Sequence, residues 1–228
     1  MKLLTLIPFV FLLMASQLVF AKGGQAHGFQ FSAAIQTADQ KNLNDWIDST
    51  RQTGTKNLGS AYEFMFDYQY RFSSSMFAIK FRPSYFTQSA EGGGVNAKLS
   101  GYSFFPILRM YPLENAFMKF FLQGGVGYGK LNGKIGNTTT DGTVDFNGDA
   151  FGGQAGLGAE FCFTANHCLT IEGNVRYLPM ERNLMSAHTG NLGGGIGTPA
   201  GSELESDNSD VGTTMSGLQG VLAYSLYF

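Results

Sequence analysis

Beyond residue 21 the sequence holds no apolar run of the ~20 residues that a membrane-crossing helix needs. It also lacks a basic excess, with 15 Lys and Arg against 17 Asp and Glu and a formal net charge of −2, so nothing in it suggests a nucleic-acid partner. Two cysteines, three histidines and one tryptophan leave few groups for metal chemistry or catalysis. Charged residues make up only 14% of the chain. What is abundant is glycine, with 31 residues, and phenylalanine, with 21, a balance that suits short strands, tight turns and aromatic girdles.

From Tyr62 to Phe72 the sequence alternates without a fault. Tyr62, Phe64, Phe66, Tyr68, Tyr70 and Phe72 fall on one face, and Glu63, Met65, Asp67, Gln69 and Arg71 on the other. A row of aromatics with charges opposite fits a strand with lipid on its outer side. A soluble sandwich or lipocalin-type barrel would have to place the charges inside and the aromatics in water. The same alternation predicts eight strands, near 28 to 38, 60 to 72, 76 to 88, 97 to 111, 117 to 131, 149 to 163, 168 to 178 and 212 to 228. The connections alternate in length: 39 to 59, 89 to 96, 132 to 148 and 179 to 211 are the longer ones, and 73 to 75, 112 to 116 and 164 to 167 the short ones. An up-and-down barrel accounts for this, with short turns and both termini on the periplasmic side and long loops outside. The predicted fold is therefore all-β, a closed eight-stranded antiparallel transmembrane barrel over 22 to 228. Residues 1 to 21, with Lys2, an apolar stretch from Leu3 to about Met14, and Val19 and Ala21 placed for cleavage, read as a secretory signal.

The last strand presents Leu218, Leu222, Tyr224, Leu226 and Phe228 on one face, and glycines punctuate the fifth, Gly124, Gly125, Gly127 and Gly129, and the sixth, Gly156 and Gly158. These features resemble the small outer-membrane barrels typified by OmpA, OmpX and OmpW. The resemblance implies that Tyr224, Leu226 and Phe228 form a signal read by the barrel-insertion machinery. It also implies a monomer in the bacterial outer membrane, in contact with its lipid and lipopolysaccharide, without a cofactor. Its motifs specify architecture and place, and leave the activity open.

The polar faces of the predicted strands turn Glu63, Asp67, Glu160 and Glu172, with Arg71, Lys80, Arg82, Arg109, Lys119 and Arg176, into the lumen. An eight-stranded barrel is just wide enough to be filled by side chains, and buried charges must be paired or hydrated. The network reads either as a static plug or as a narrow, gated path whose ion pairs exchange partners. The six bases over four acids would then favour anions.

Cys162 and Cys168 flank the turn 163 to 167 on lumen-facing positions and read as a cross-strand disulfide. A free thiol pair and a metal site with His167 are the competing readings, the latter short of a fourth ligand. Asp145, Asn147 and Asp149 open like a calcium loop, but Ala150 and Gly156 stand where glycine and glutamate belong, so a surface turn is expected. Glu203, Glu205, Asp207 and Asp210 read as a loop near the cations of the lipopolysaccharide layer. His188, with Ser186 and Glu181 nearby, is the one histidine placed for a lipid-modifying enzyme, and it lacks strand-borne triad geometry. Leu43, Trp46 and Ile47 have helical spacing in the first long loop and suggest an amphipathic turn at the membrane rim, with Trp46 as an interfacial anchor or a contact for a ligand, cell or phage. Together these readings give a non-enzymatic outer-membrane barrel serving envelope integrity or surface interaction. An OmpW-like narrow channel for small, apolar molecules is the alternative, and a lipid A-modifying enzyme a more distant one.

Overall fold

A computed structural model describes residues 26–49, 57–73, 75–137, 141–190, 200–206 and 209–228. The expected signal over 1 to 21 lies outside these residues. Eight strands form the barrel: β1 (His27–Thr37), β2 (Ser60–Arg71), β3 (Phe77–Gly92), β4 (Val95–Glu114), β5 (Met118–Asn137), β6 (Gly142–Cys162), β7 (His167–Tyr177) and β8 (Gly217–Tyr227). Each pairs antiparallel with its neighbours, and β1 closes the sheet on β8, from Gly28 opposite Tyr227 to Gln36 opposite Gln219. Closure matters because a strand edge in hydrocarbon would leave backbone N–H and C=O groups without partners. Pro83 and Pro106, which have no N–H to give, sit where the β2–β3 and β4–β5 ladders skip residues.

The outer wall is apolar. Tyr62, Phe64, Phe66, Phe104, Leu108, Val126, Phe151, Ile171, Val175 and Leu222 all stand exposed on it. Aromatic rings on adjacent strands touch across it, Tyr85 against Tyr102 and Tyr128 against Phe151, each pair with centroids 5.1 Å apart. An exposed surface of this size and composition is one that a bilayer covers.

Past these rings the sheet continues and its polarity inverts. On β4 and β5 the inward residues become Val95, Ala97, Leu99, Leu131 and Ile135, all buried, while Asn96, Lys98, Lys130, Asn132 and Lys134 face out, exposed. This is where the predicted boundaries fail. The connections expected over 89 to 96 and 132 to 148 are mostly strand, because alternation persists while its sense reverses outside the lipid. The first closes on Gly93 and Gly94, whose φ values of 57° and 83° are those of a two-residue hairpin turn that only glycine adopts freely. Asp145, Asn147 and Asp149 accordingly lie on β6, opposite Lys134, Asn132 and Lys130, and form no turn. The last strand starts at Gly217 rather than 212, since Thr213 and Thr214 instead pair with Met180 and Pro179.

The loop end is filled. A helix, α1 (Lys41–Ser49), turns Leu43, Trp46 and Ile47 into one apolar cluster with Leu58, Phe86, Phe105, Leu131, Val144, Phe146, Met180 and Met215. The helical spacing was legible, but Trp46 is buried inside the barrel mouth and does not anchor at the rim, because the inverted sheet offers an apolar interior there. Inward Gly133 leaves room for the Phe146 ring, which a Cβ at that position would meet at 2.0 Å. A strand within the fourth loop, Asn183–Thr189, pairs with β6 beyond the point where β7 stops, and so extends the wall.

A closed ladder of this kind resists detergent until heated. Unboiled protein should therefore run apart from boiled protein on a denaturing gel, and identical mobility would contradict the closed sheet.

Candidate functional site

Alternation places every second residue of β2, β3, β4, β6 and β7 in the lumen, and near the end with the termini those residues are charged. Glu172 on β7 is the hub. Its carboxylate takes Lys80 Nζ at 3.1 Å, Arg82 Nη2 at 2.7 Å and Arg109 Nη2 at 2.7 Å, with Gln123 Nε2 donating at 3.0 Å. Asp67 receives Lys80 at 2.7 Å and Arg82 at 2.9 Å. Arg109 also reaches Glu160 at 2.7 Å, and its guanidinium lies 3.7 Å over the Phe121 ring. Glu160 is completed by the hydroxyls of Tyr111 at 3.0 Å and Tyr227 at 2.7 Å. One level nearer the loops, Arg176 binds Glu63 at 2.7 Å and donates to the Gln36 side chain, while Gln219 donates to the other Glu63 oxygen at 2.5 Å.

These eight charged side chains, four acids and four bases, are buried and mutually paired. The expected excess of bases in the lumen therefore disappears. Arg71 and Lys119 sit at the termini end, their side chains 25% and 18% exposed, and both bind Glu114, at 2.5 Å and 3.8 Å. Glu114 went unassigned because Pro112 and a register shift after Met110 blur the parity of β4. Also missed were the neutral partners Gln36, Gln219, Tyr111 and Tyr227, although each has the inward parity of its strand.

Above the charges comes the apolar cluster of the loop end, so the lumen is plugged twice, by ion pairs below and by α1 with its neighbours above. Such a stack can hold the wall rigid and block bulk water.

Cys162 and Cys168 are joined in a disulfide beside Tyr227. No thiolate is left for a metal, and His167 instead hydrogen-bonds Tyr224. With a loop this small the bond contributes about 2 kcal/mol. Neither cysteine should react with thiol reagents before reduction, and rapid labelling of both in untreated protein would refute the bond.

Tyr224 points outward on β8, and Phe228 stacks on His27 across the closing seam, 5.9 Å between centroids. His188 lies half-buried on the loop strand opposite Val144, and among the described residues no hydrogen bond joins it to Ser186 or Glu181. Glu203, Glu205 and Asp210 bring carboxylate oxygens within 4.8 Å of one another, with Arg182 bound to Glu203. Asp207 lies outside the described residues.

No protein-family model matches the chain, and no curated protein matches its sequence. Solved structures do. The crystal structure of the outer membrane protein OprG from Pseudomonas aeruginosa superposes with a TM-score of 0.55 at 13% identity, covering 92% of this chain and 99% of that one. A major outer membrane protein from Thermus thermophilus gives 0.60 at 13% identity, covering 89% and 100%. At such identities the likeness is one of fold, and the fold is that of small outer-membrane β-barrel proteins.

Proposed function

We propose that the chain is an integral protein of a bacterial outer membrane, a barrel closed to solutes that strengthens the envelope and presents its loop end to the surroundings, without catalysis or a cofactor. The carrying observation is the double plug. Four acids and four bases are paired at 2.7–3.1 Å across the lumen, and an apolar cluster that includes α1 lies above them. A conducting path would need these buried pairs to separate, and leaving a buried charge without its partner is costly. The apolar outer wall supports the membrane setting, in which the termini end faces the periplasm, the insertion machinery reads the strand ending at Tyr224, Leu226 and Phe228, and the protein works as a monomer.

One observation favours a second reading, a narrow path for small apolar molecules: the loop-end half of the lumen is lined by Phe86, Phe105, Ile107, Leu131 and Phe146. It would require α1 to leave.

Conductance separates the two. The refolded protein in planar bilayers should show no steady current, and no ion preference in any rare event, because the buried charges balance. A steady, reproducible conductance from the unaltered chain would overturn the closed-barrel reading.

A further inference from the structure

The turn between β6 and β7 holds the end of the last strand. Cys162 and Cys168 face each other at its base and are bonded, and Thr164 Oγ1 accepts from the backbone N–H of Asn166 at 3.3 Å and of His167 at 3.2 Å. Asn166, fixed in this way, grips Tyr227 twice. Its backbone carbonyl accepts from the Tyr227 N–H at 2.8 Å, and its side-chain Nδ2 donates to the Tyr227 carbonyl at 2.8 Å. The grip lies one residue beyond Leu226 and His167, the last pair of the β7–β8 ladder. The Tyr227 ring packs with the disulfide, and its hydroxyl donates to Glu160 at 2.7 Å.

Tyr227 also meets β1. Gly28 stands opposite Tyr227 in the closing ladder, and a Cβ on Gly28 would come within 2.6 Å of the Tyr227 ring. The residue by which β8 is held to the turn is thus also one on which β1 closes. Access sets the order of events. In the closed barrel Cys168 is 0% and Cys162 6% exposed, clustered with Tyr227, so an oxidant reaches a reduced pair only before β8 has docked.

We propose that this turn is the chain's own docking site for the end of β8, and that its oxidation before docking gates closure of the barrel. The partner is a thiol oxidase of the disulfide-exchange class. A thiolate of the chain, Cys162 or Cys168, attacks the oxidase disulfide and releases one oxidase thiolate. The second chain thiolate then displaces the oxidase from the mixed disulfide. The chain gives up two electrons and two protons, and the oxidase is left as the dithiol. The proposal rests on the outer-membrane reading above, which puts this turn in the oxidising periplasm.

The test follows the heat-dependent gel shift as urea-unfolded full chain is diluted into phosphatidylcholine vesicles, comparing oxidised chain with chain held reduced by a phosphine. Reduction should slow the appearance of the shift about tenfold, because the constraint on the turn is then missing when β8 docks. Asn166→Ala with the disulfide intact should slow it too, and reducing that variant should add less than about twofold, since both changes undo the same grip. A bond that only staples β6 to β7 would give two independent effects that multiply. That result, or equal rates for reduced and oxidised chain, would overturn the proposal. A reduced chain that never closes supports it if the oxidised Asn166→Ala chain is slowed, and overturns it if that chain closes at the unaltered rate. Barrels assembled from reduced chain should acquire the bond from glutathione disulfide at least about tenfold more slowly than unfolded chain does, and equal rates would overturn the order of steps. A gel shift missing in both redox states would overturn the outer-membrane reading and this proposal with it, whereas the other adverse results overturn the proposal alone.

Discussion

Replacing Glu172 with alanine is expected to destabilise the barrel by about 3–5 kcal/mol, the cost of removing one partner from a buried ion pair. The upper end of that range applies here, because Lys80, Arg82 and Arg109 all converge on this carboxylate. Arg82 would keep Asp67 and Arg109 would keep Glu160, but three cations would be left with two acids around them. Glu172→Gln preserves the shape and the Gln123 contact while removing the charge, so it should lose most of the same stability. Glu114→Ala is the control. Its pairs with Arg71 and Lys119 are partly exposed at the barrel end, and loss of a surface ion pair costs no more than about 1 kcal/mol. Urea unfolding of vesicle-inserted protein, followed by the heat-dependent gel shift, checks both. Equal midpoints for the Glu172 and Glu114 variants would mean that the lumen network does not hold the wall. Any current that the Glu172→Ala barrel gains should favour anions, since the lumen then carries one uncompensated positive charge.

That hub was visible in the sequence only as one acid among several. The parity of Glu63, Asp67, Lys80, Arg82, Arg109, Glu160, Glu172 and Arg176 could be read directly, because in a strand the side-chain period is two and the lipid-facing aromatics fix its phase. Pairing could not, since Glu172 and Arg82 are 90 residues apart and meet only through closure of the sheet. Arg71 and Lys119 share the inward parity as well, and parity says nothing of depth, so parity alone cannot tell these two rim residues from the lumen network. The inverted segments failed for a different reason. The aromatics of the outer face end at Tyr102 and Tyr128, while the strands run on with asparagines and lysines outside and Leu99, Leu131 and Ile135 within. The strand Asn183–Thr189 has no strong alternation of its own and is defined by its pairing to β6.

The apolar cap makes the largest claim that the sequence alone did not. Trp46 is the sole tryptophan, so its fluorescence reports α1 and nothing else. At 5% exposure, among Leu43, Ile47, Leu58 and the inward residues of the extended strands, it should emit in the blue and be protected from aqueous acrylamide. Brominated lipids should quench it weakly too, whereas a tryptophan anchored at the membrane interface would be quenched strongly by them. Trp46→Ala should destabilise the cap by about 3–5 kcal/mol, as for other buried tryptophans. The loss should fall on the cap and spare the barrel. The cap is held by side-chain packing and by a few hydrogen bonds, such as those of Gln40 and Asn44 with the backbone of Leu58 and Thr214, while the wall below is held by a closed ladder in lipid, so the two can open with different free energies. On heating or in urea, native Trp46 emission should disappear before the gel shift does, and Trp46→Ala should leave the gel shift nearly unchanged while exposing loop-end residues to protease. Simultaneous loss of both signals in the unaltered protein would mean that cap and barrel are one cooperative unit.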